Sequence, residues 1–473
     1  MIAVRRGAVA LAVLLGAMLM IAAPASAGAG KQFDFGFADD RFSDNLFTSP
    51  SANVRAEWFG RAADSNGRFA RINAYWSVIA TGQPANPANP SDPAYDWAEI
   101  DRAVLSADAE GLEVVLLVLN SPSWAEGPGR PNDPELRTGT WKPSPSALRD
   151  FATAIATRYS GSFGGLPRVR YWEGWNEPNL RNYLNPLWNG KKPAAPAIYR
   201  DLLNGFYEGI KSVSGSNLVI TGGTSPFGDG PGGRRMRPLY FWRNVLCLNK
   251  KLKKNCSRRT YFDIFGHNGI NSPGDGPTKA AHNPDDATPA DFDDIRKIVK
   301  AAERNGTAPG GKHEIWSTET WYESKPPQRG ALSLEDQARA MVESMYVLWK
   351  QGASAVIFLQ LRDSPYDPKT HALLGFQTGI YFDNDKPKPS ASAVQFPFVA
   401  ERRGRKPTTL WGIAPRSGKL SVEQKLGKRW KKVAGTRARA ARVFKLKSGR
   451  VKGKKPKLRA RIGPEKSMVW KLR

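Results

Sequence analysis

From Gln32 to about Ala400 eight short apolar runs alternate with stretches of helical apolar spacing, and this alternation limits the chain more than any other feature. Strands separated by helices favour a parallel sheet, because a crossover helix brings the next strand alongside the last in the same direction. The expected strands are Phe33–Phe37, Phe69–Tyr75, Glu113–Val118, Arg168–Trp175, Asn217–Gly222, Tyr261–His267, His313–Thr318 and Ser354–Gln360. The stretches between them carry helix signals. Ser144 stands as an N-cap before Pro145, and Leu148, Phe151 and Ile155 follow at three-to-four spacing. Ser333 and Asp336 open another helix in a capping-box-like arrangement that Gly352 ends. Ile198, Leu202, Phe206 and Ile210 form a third stripe, and Gly111 and Gly306 stand where helix C-caps belong. Eight such units specify an α/β fold, a (β/α)8 TIM barrel, which needs roughly 250 residues and takes insertions to 400 or more.

The two ends of the chain follow different rules. Arg5 and Arg6 precede an apolar stretch from Gly7 to Ala23, then Pro24 and the small triplet Ala25-Ser26-Ala27. That order describes a secretory signal peptide over 1–27, so the protein is expected to be secreted or cell-wall associated. No later segment is apolar enough to span a bilayer, so no transmembrane segment is expected after cleavage. The barrel is expected over 28–400. Beyond it the runs are short and several alternate apolar with polar residues: Lys419–Gln424, Arg429–Val433, Ala441–Leu446, Pro456–Ile462 and Ser467–Leu472. They read as a small all-β, sandwich-like domain over 401–473. Charge divides the same way. Of the net +28, residues 401–473 hold 26 Lys and Arg against 3 Asp and Glu, leaving the rest of the chain nearly neutral. The only two cysteines, Cys247 and Cys256, are expected to pair in an oxidising compartment, closing a lysine-rich loop for roughly 2–3 kcal/mol. With four His and none near either Cys, no metal site is expected.

Two strand ends carry the chemistry. Tyr171-Trp172-Glu173-Gly174-Trp175-Asn176-Glu177-Pro178 runs off the fourth strand into a proline, and Ile315-Trp316-Ser317-Thr318-Glu319-Thr320-Trp321 runs off the seventh. Active sites of this architecture lie at the carboxyl ends of the strands. Two carboxyl groups facing each other across one barrel mouth can cleave a glycosidic bond, and a separation of ~5–5.5 Å makes one of them a nucleophile. Glu173, Glu314 and Glu323 are poorer candidates, the first two within their strands and the third beyond its end.

These stretches resemble clan A of the glycoside hydrolases, retaining barrels with an Asn-Glu acid/base on strand four and a Glu nucleophile on strand seven. The resemblance covers about Phe33 to Ala400. The Trp-Glu-Gly-Trp-Asn-Glu-Pro-Asn stretch is most similar to glycoside hydrolase family 39, β-xylosidases and α-L-iduronidases, with the family 5 cellulases and mannanases close behind. It implies Glu177 as acid/base, Glu319 as nucleophile, Asn176 on the sugar 2-hydroxyl, and Arg71 of Ala70-Arg71-Ile72-Asn73 beside the nucleophile. It further implies His267 as a substrate contact. The sequence departs from the clan where Asn268-Gly269-Ile270 follows His267 without the usual Tyr, for which Tyr322 is a substitute, and where Phe358-Leu359-Gln360-Leu361 lacks a strand-eight Trp. Trp76, Trp124, Trp175 and Trp321 follow strand ends; the first two and the last are taken as candidate sugar platforms, whereas Trp175 fits the barrel wall as well.

The leading expectation is a retaining glycosidase acting on a β-linked oligo- or polysaccharide without metal or organic cofactor. A non-catalytic carbohydrate-binding or wall-associated protein on a degenerate barrel is the alternative, motivated by the two departures. The basic tail shows no motif that reads bases, so specific nucleic-acid binding is not expected; acidic wall or matrix polymers are its expected partners.

Overall fold

The computed structural model of the chain describes residues 32–43, 50–326, 328–365, 375–404 and 406–472. The expected leader at 1–27 lies outside the described residues. Eight parallel strands close into a barrel: β1 (Asp34–Ala38), β2 (Phe69–Tyr75), β3 (Glu113–Leu119), β4 (Tyr171–Gly174), β5 (Leu218–Thr221), β6 (Ile264–Asn268), β7 (Glu314–Thr320) and β8 (Ala355–Leu359). Each lies in the expected place, and β8 returns to pair with β1 from Asp34 opposite Ala355 to Ala38 opposite Leu359. Helices α1 (Ala52–Asp64), α2 (Ala98–Ala109), α3 (Pro145–Arg158), α4 (Ala195–Val213), α5 (Pro238–Val245), α6 (Phe292–Arg304) and α7 (Leu334–Gln351) surround the sheet. Their ends follow the signals: Ser144 Oγ accepts from Ala147 N, Ser333 Oγ accepts from Asp336 N, and Gly352 closes α7 at φ 99°.

Strand period explains the layering. Side chains two apart share a face, so on β2 Phe69 and Arg71 point into the barrel while Ala70, Ile72 and Ala74 pack outward. The lower barrel is filled by Phe69, Tyr171, Trp316, Ile220, Ile264, Ile357 and small neighbours, with Phe69 and Trp316 ring centres 4.7 Å apart. Above this apolar plug the inward positions are polar: Arg71 on β2, Glu173 on β4 and Thr318 on β7. The plug therefore forms the floor of a cleft.

The tail forms two antiparallel sheets. One joins β9 (Phe398–Glu401), β10 (Thr408–Ile413) and β13 (Val443–Ser448); the other joins β11 (Gly418–Leu426), β12 (Arg429–Ala438), β14 (Lys457–Ile462), β15 (Glu465–Lys466) and β16 (Trp470–Lys471). The all-β character is as expected. However, β9 begins ahead of the boundary expected at 401, and the tail shares the barrel's outer core. Trp411 of β10 lies 5.5 Å from Tyr346 and 5.9 Å from Trp349 of α7, ring centre to ring centre. Trp470 Nε1 donates to Ala400 O at 2.9 Å, tying the second sheet to the first. Cys247 and Cys256 are joined as a disulfide after α5, with Cα atoms 5.1 Å apart.

Candidate active site

A cavity of about 800 Å³ opens at the carboxyl ends of the barrel strands, and both Glu177 and Glu319 line it. How each carboxyl group reaches it follows from local backbone. Past β4 the chain enters the left-handed region at Trp175 (φ 78°) and again at Glu177 (φ 38°), which bulky residues seldom occupy. Trp175 N donates to Val118 O, Trp175 Nε1 to Tyr183 O and Glu177 N to Gly223 O, so hydrogen bonds on three sides hold this twist. On β7 the device is a bulge. Between Ser317 and Thr320 the strand has one residue more than β8, and between Ser317 and Glu319 one more than β6. A bulge re-aims the side chains that follow it. Here it sets Thr318 and Glu319 both toward the barrel interior.

Arg71 organises the floor. Its guanidinium donates to both oxygens of Glu173, at 2.6 and 3.3 Å, and to Asn176 Oδ1 at 3.2 Å. Its Nη1 lies 3.6 Å from Glu319 Oε2. Glu173 is fully buried and also accepts from Gly223 N. A residue set aside as merely within its strand thus anchors the cation that faces Glu319. Trp321 lines the same cavity as Glu319, and its side chain, whose only donor is the indole N–H, pulls the Glu319 pKa down. Asn268, following His267, donates from Nδ2 to Glu177 Oε1 at 3.1 Å. Thr318 Oγ1 donates to Asn268 Oδ1 at 2.9 Å, which fixes the amide with its N–H side toward Glu177.

Both carboxyl groups are pushed up, each by burial and by its own set of neighbours. Burial, followed by the charge of Glu319, pushes Glu177 up to about 8 against the opposing pull of Asn268 and Arg71. Burial also raises Glu319, helped by the charges of Glu173 and Asp40 and opposed by Arg71 and the Trp321 side chain. Glu177 is thus held up to about 8 beside the charge of Glu319, while Glu319 lies 3.6 Å from the Arg71 guanidinium. Asp40, after β1, is pushed up to about 6 by burial and by Asp39, and accepts from Gln360 Nε2 at 3.2 Å.

Of the residues singled out in the sequence, Glu177, Glu319, Asn176, Arg71 and Trp321 meet in this cavity. Three do not. His267 is fully buried on the outside of the barrel: its Nδ1 pairs with Thr224 Oγ1, its Nε2 with Ala287 O, and burial holds it down to about 4. Strand phase accounts for this, since Ile264 faces inward and His267, three residues on, must face outward. Trp76 is fully buried and stacks on Phe151 of α3 at 5.4 Å. Trp124 packs edge-on against Trp76 and donates to Ala80 O. Both are core, not platform. Tyr322 is buried away from the cavity with its hydroxyl 3.4 Å from Asn271 Oδ1, so it does not replace the missing strand-six Tyr. Trp175 is buried in the wall, as its alternative placement had it. Missed residues that line the cavity are Asp40, Asn73, Tyr75, Tyr183 and Gln360. Tyr183, in the loop after Glu177, lies within electrostatic reach of Glu177 and Glu319. Asp40 and Gln360 were findable, being polar residues at strand ends; Tyr183 stands in a loop with no pattern to place it.

No family model matches the sequence, and no curated protein does. Among solved structures the chain is similar to a family 39 glycoside hydrolase from the gut symbiont Bacteroides cellulosilyticus WH2, at 15% identity and a TM-score of 0.55, over 88% of this chain and 81% of that one. It is also similar to a family 39 β-xylosidase from Caulobacter crescentus, at 16% identity and a TM-score of 0.50, over 89% and 97% of the two chains. A glucosidase from Croceicoccus marinus matches at 11% identity and a TM-score of 0.50, over 89% and 94%. At such identities the likeness establishes a shared fold.

Proposed function

We propose that this chain is a retaining glycoside hydrolase for a β-linked oligo- or polysaccharide, with Glu177 as acid/base and Glu319 as nucleophile. The observation that carries the reading is the pair of carboxyl groups in one cleft, made unequal by their surroundings. Glu319 Oε attacks the anomeric carbon as Glu177 delivers its proton to the departing glycosidic oxygen, so one C–O bond forms while another breaks. Glu177, now an anion, takes a proton from water, whose oxygen displaces Glu319 and restores both groups. A carboxyl group held up to about 8 suits the donor of the first step. Arg71 and the Trp321 indole suit the anion that attacks. Asn176, whose Oδ1 accepts from Arg71, binds the sugar in this reading. The fold shared with family 39 and other glycosidase structures supports the same reading, and the leader pattern at 1–27 supports action outside the cell.

The test uses a panel of aryl β-glycosides and β-linked polysaccharides, with anomeric configuration followed by NMR. The wild-type chain is expected to release product with retained configuration. Glu319→Ala is expected to lose turnover, and azide to restore it as an inverted glycosyl azide. Glu177→Ala is expected to slow poor leaving groups far more than activated ones. Near-wild-type turnover by Glu319→Ala overturns the assignment.

A further inference from the structure

We propose that the outward face of the β11–β12–β14 sheet docks a linear acidic polysaccharide, one bearing a carboxylate or sulfate on most of its sugars. The assignment of a carbohydrate rests on the glycosidase reading; the face itself is read from strand register. Residues directly opposite on paired strands share a face. The inner face of this sheet is buried through Leu420, Val422, Leu458, Ala460 and Ile462. The alternate positions therefore point to solvent, and every charged one but Glu423 is basic. Lys419 of β11 stands opposite Arg437 of β12. Arg461 of β14 flanks Ser421 and stands opposite Lys466 of β15, while Lys457 stands opposite Lys471 of β16. Lys432 lies across from Glu423, the one carboxylate on this face among the described residues, and Arg459 already holds it at 2.8 Å.

Like charges set directly opposite each other weaken a sheet. Lys419 with Arg437, Arg461 with Lys466 and Lys457 with Lys471 are three such pairs in one small sheet. An anion lying across the face would remove the repulsion that the register builds in. Cations spaced roughly 5 Å across strands and 7 Å along alternate residues form a flat lattice on the scale of successive sugars in a linear chain. A nucleic acid fits less well. Single strands are held by successive aromatic side chains on which bases stack. Among the described residues this face offers Trp430 alone, and Arg459 lies over its ring at 4.0 Å.

The full-length protein is titrated with polygalacturonate, with its fully methyl-esterified form and with an oligothymidylate of matching charge. Binding to the polyuronate, at least tenfold tighter than to the other two and falling steeply with salt, supports the proposal. The variant Lys419→Gln/Lys432→Gln/Arg437→Gln/Arg461→Gln is expected to bind about a hundredfold more weakly at low salt and with a flatter salt dependence. Lys191→Gln/Lys250→Gln/Lys251→Gln/Lys253→Gln, which removes four exposed cations elsewhere, is expected to bind as wild type. If the fourfold face variant melts early, the pair Lys419→Gln/Arg437→Gln carries the same comparison with an expected tenfold loss. Equal loss in the control variant, or equal affinity for the oligothymidylate, overturns the proposal. Aryl glycoside hydrolysis is followed in parallel: hydrolysis without polyuronate binding sinks the dock alone, and polyuronate binding without hydrolysis sinks the glycosidase reading alone.

Discussion

Glu177 sets the pH behaviour expected of single residues. It must donate a proton first, so kcat/KM is expected to fall as pH rises through about 8, and Glu177→Gln should abolish that limb along with most activity on poor leaving groups. The same proton acts on stability. Because the folded chain holds it more tightly than an unfolded chain would, stability must decline as pH climbs from the ordinary carboxylate range through about 8. Thermal melts of Glu177→Gln are therefore expected to exceed wild type at pH 8–9 and to converge with it near pH 5; convergence at both pH values would refute the shift. Gly223 is a second residue whose identity is dictated by space. A Cβ there would lie 2.1 Å from Asn268 Oδ1 and 2.2 Å from Thr318 Oγ1, the two atoms that orient the donor to Glu177. Gly223→Ala is expected to cost about 1–3 kcal/mol by overpacking and to lower kcat more than tenfold, read from denaturant melts and steady-state rates.

Among elements, the loop after β3 shows how a long connection can be held firm over a cleft. One oxygen of Glu126 accepts from Gly139 N, Thr140 N and Trp141 N at 2.8, 3.0 and 2.9 Å, and Arg130 pairs with the same carboxylate. Arg137 and Thr138, which line the cavity, sit between these anchors. Glu126→Ala leaves backbone donors without a partner, each worth about 1–3 kcal/mol where buried. The expected result is a raised KM for oligosaccharides with little change in kcat on small aryl glycosides, together with faster proteolysis within 126–141. An unchanged KM would show that the loop takes no part in binding.

For the whole molecule, the tail is part of the barrel's fold rather than an appendage. Trp411 is fully buried among Phe33, Tyr346 and Trp349, and Trp470 is nearly so. Ending the chain near Ala400 would strip apolar cover from α7 and Phe33, so such a truncation is expected to aggregate. Trp411→Ala, which leaves the chain whole, is expected to cost about 3–5 kcal/mol in chemical denaturation. A loss below about 1 kcal/mol would mean that the two parts fold independently.

Repeated strand and helix signals, two glutamates at strand ends and the concentration of charge past residue 400 are local properties, and the sequence alone determined them. The barrel was legible because each βα unit announces itself locally, before the next strand begins, and Glu177 and Glu319 because both stand where a strand runs out. Strand phase was missed, with His267 and Trp76 expected in the site: only once Ile264 and Phe69 are seen to face inward does counting place His267 outside and take Trp76 off the inward face. What only the tertiary structure decided depends on partners far away in the chain. The bulge that turns Glu319 inward exists relative to β6 and β8, and no count along β7 reveals it. Asn268 orients Glu177 only because Thr318 meets it from β7 and Gly223 leaves room from the end of β5. Composition marked the tail as basic, yet its union with the barrel came from Trp411 reaching α7, a contact between segments more than sixty residues apart. Local chemistry chooses elements, whereas register and packing between distant segments choose which side chains meet.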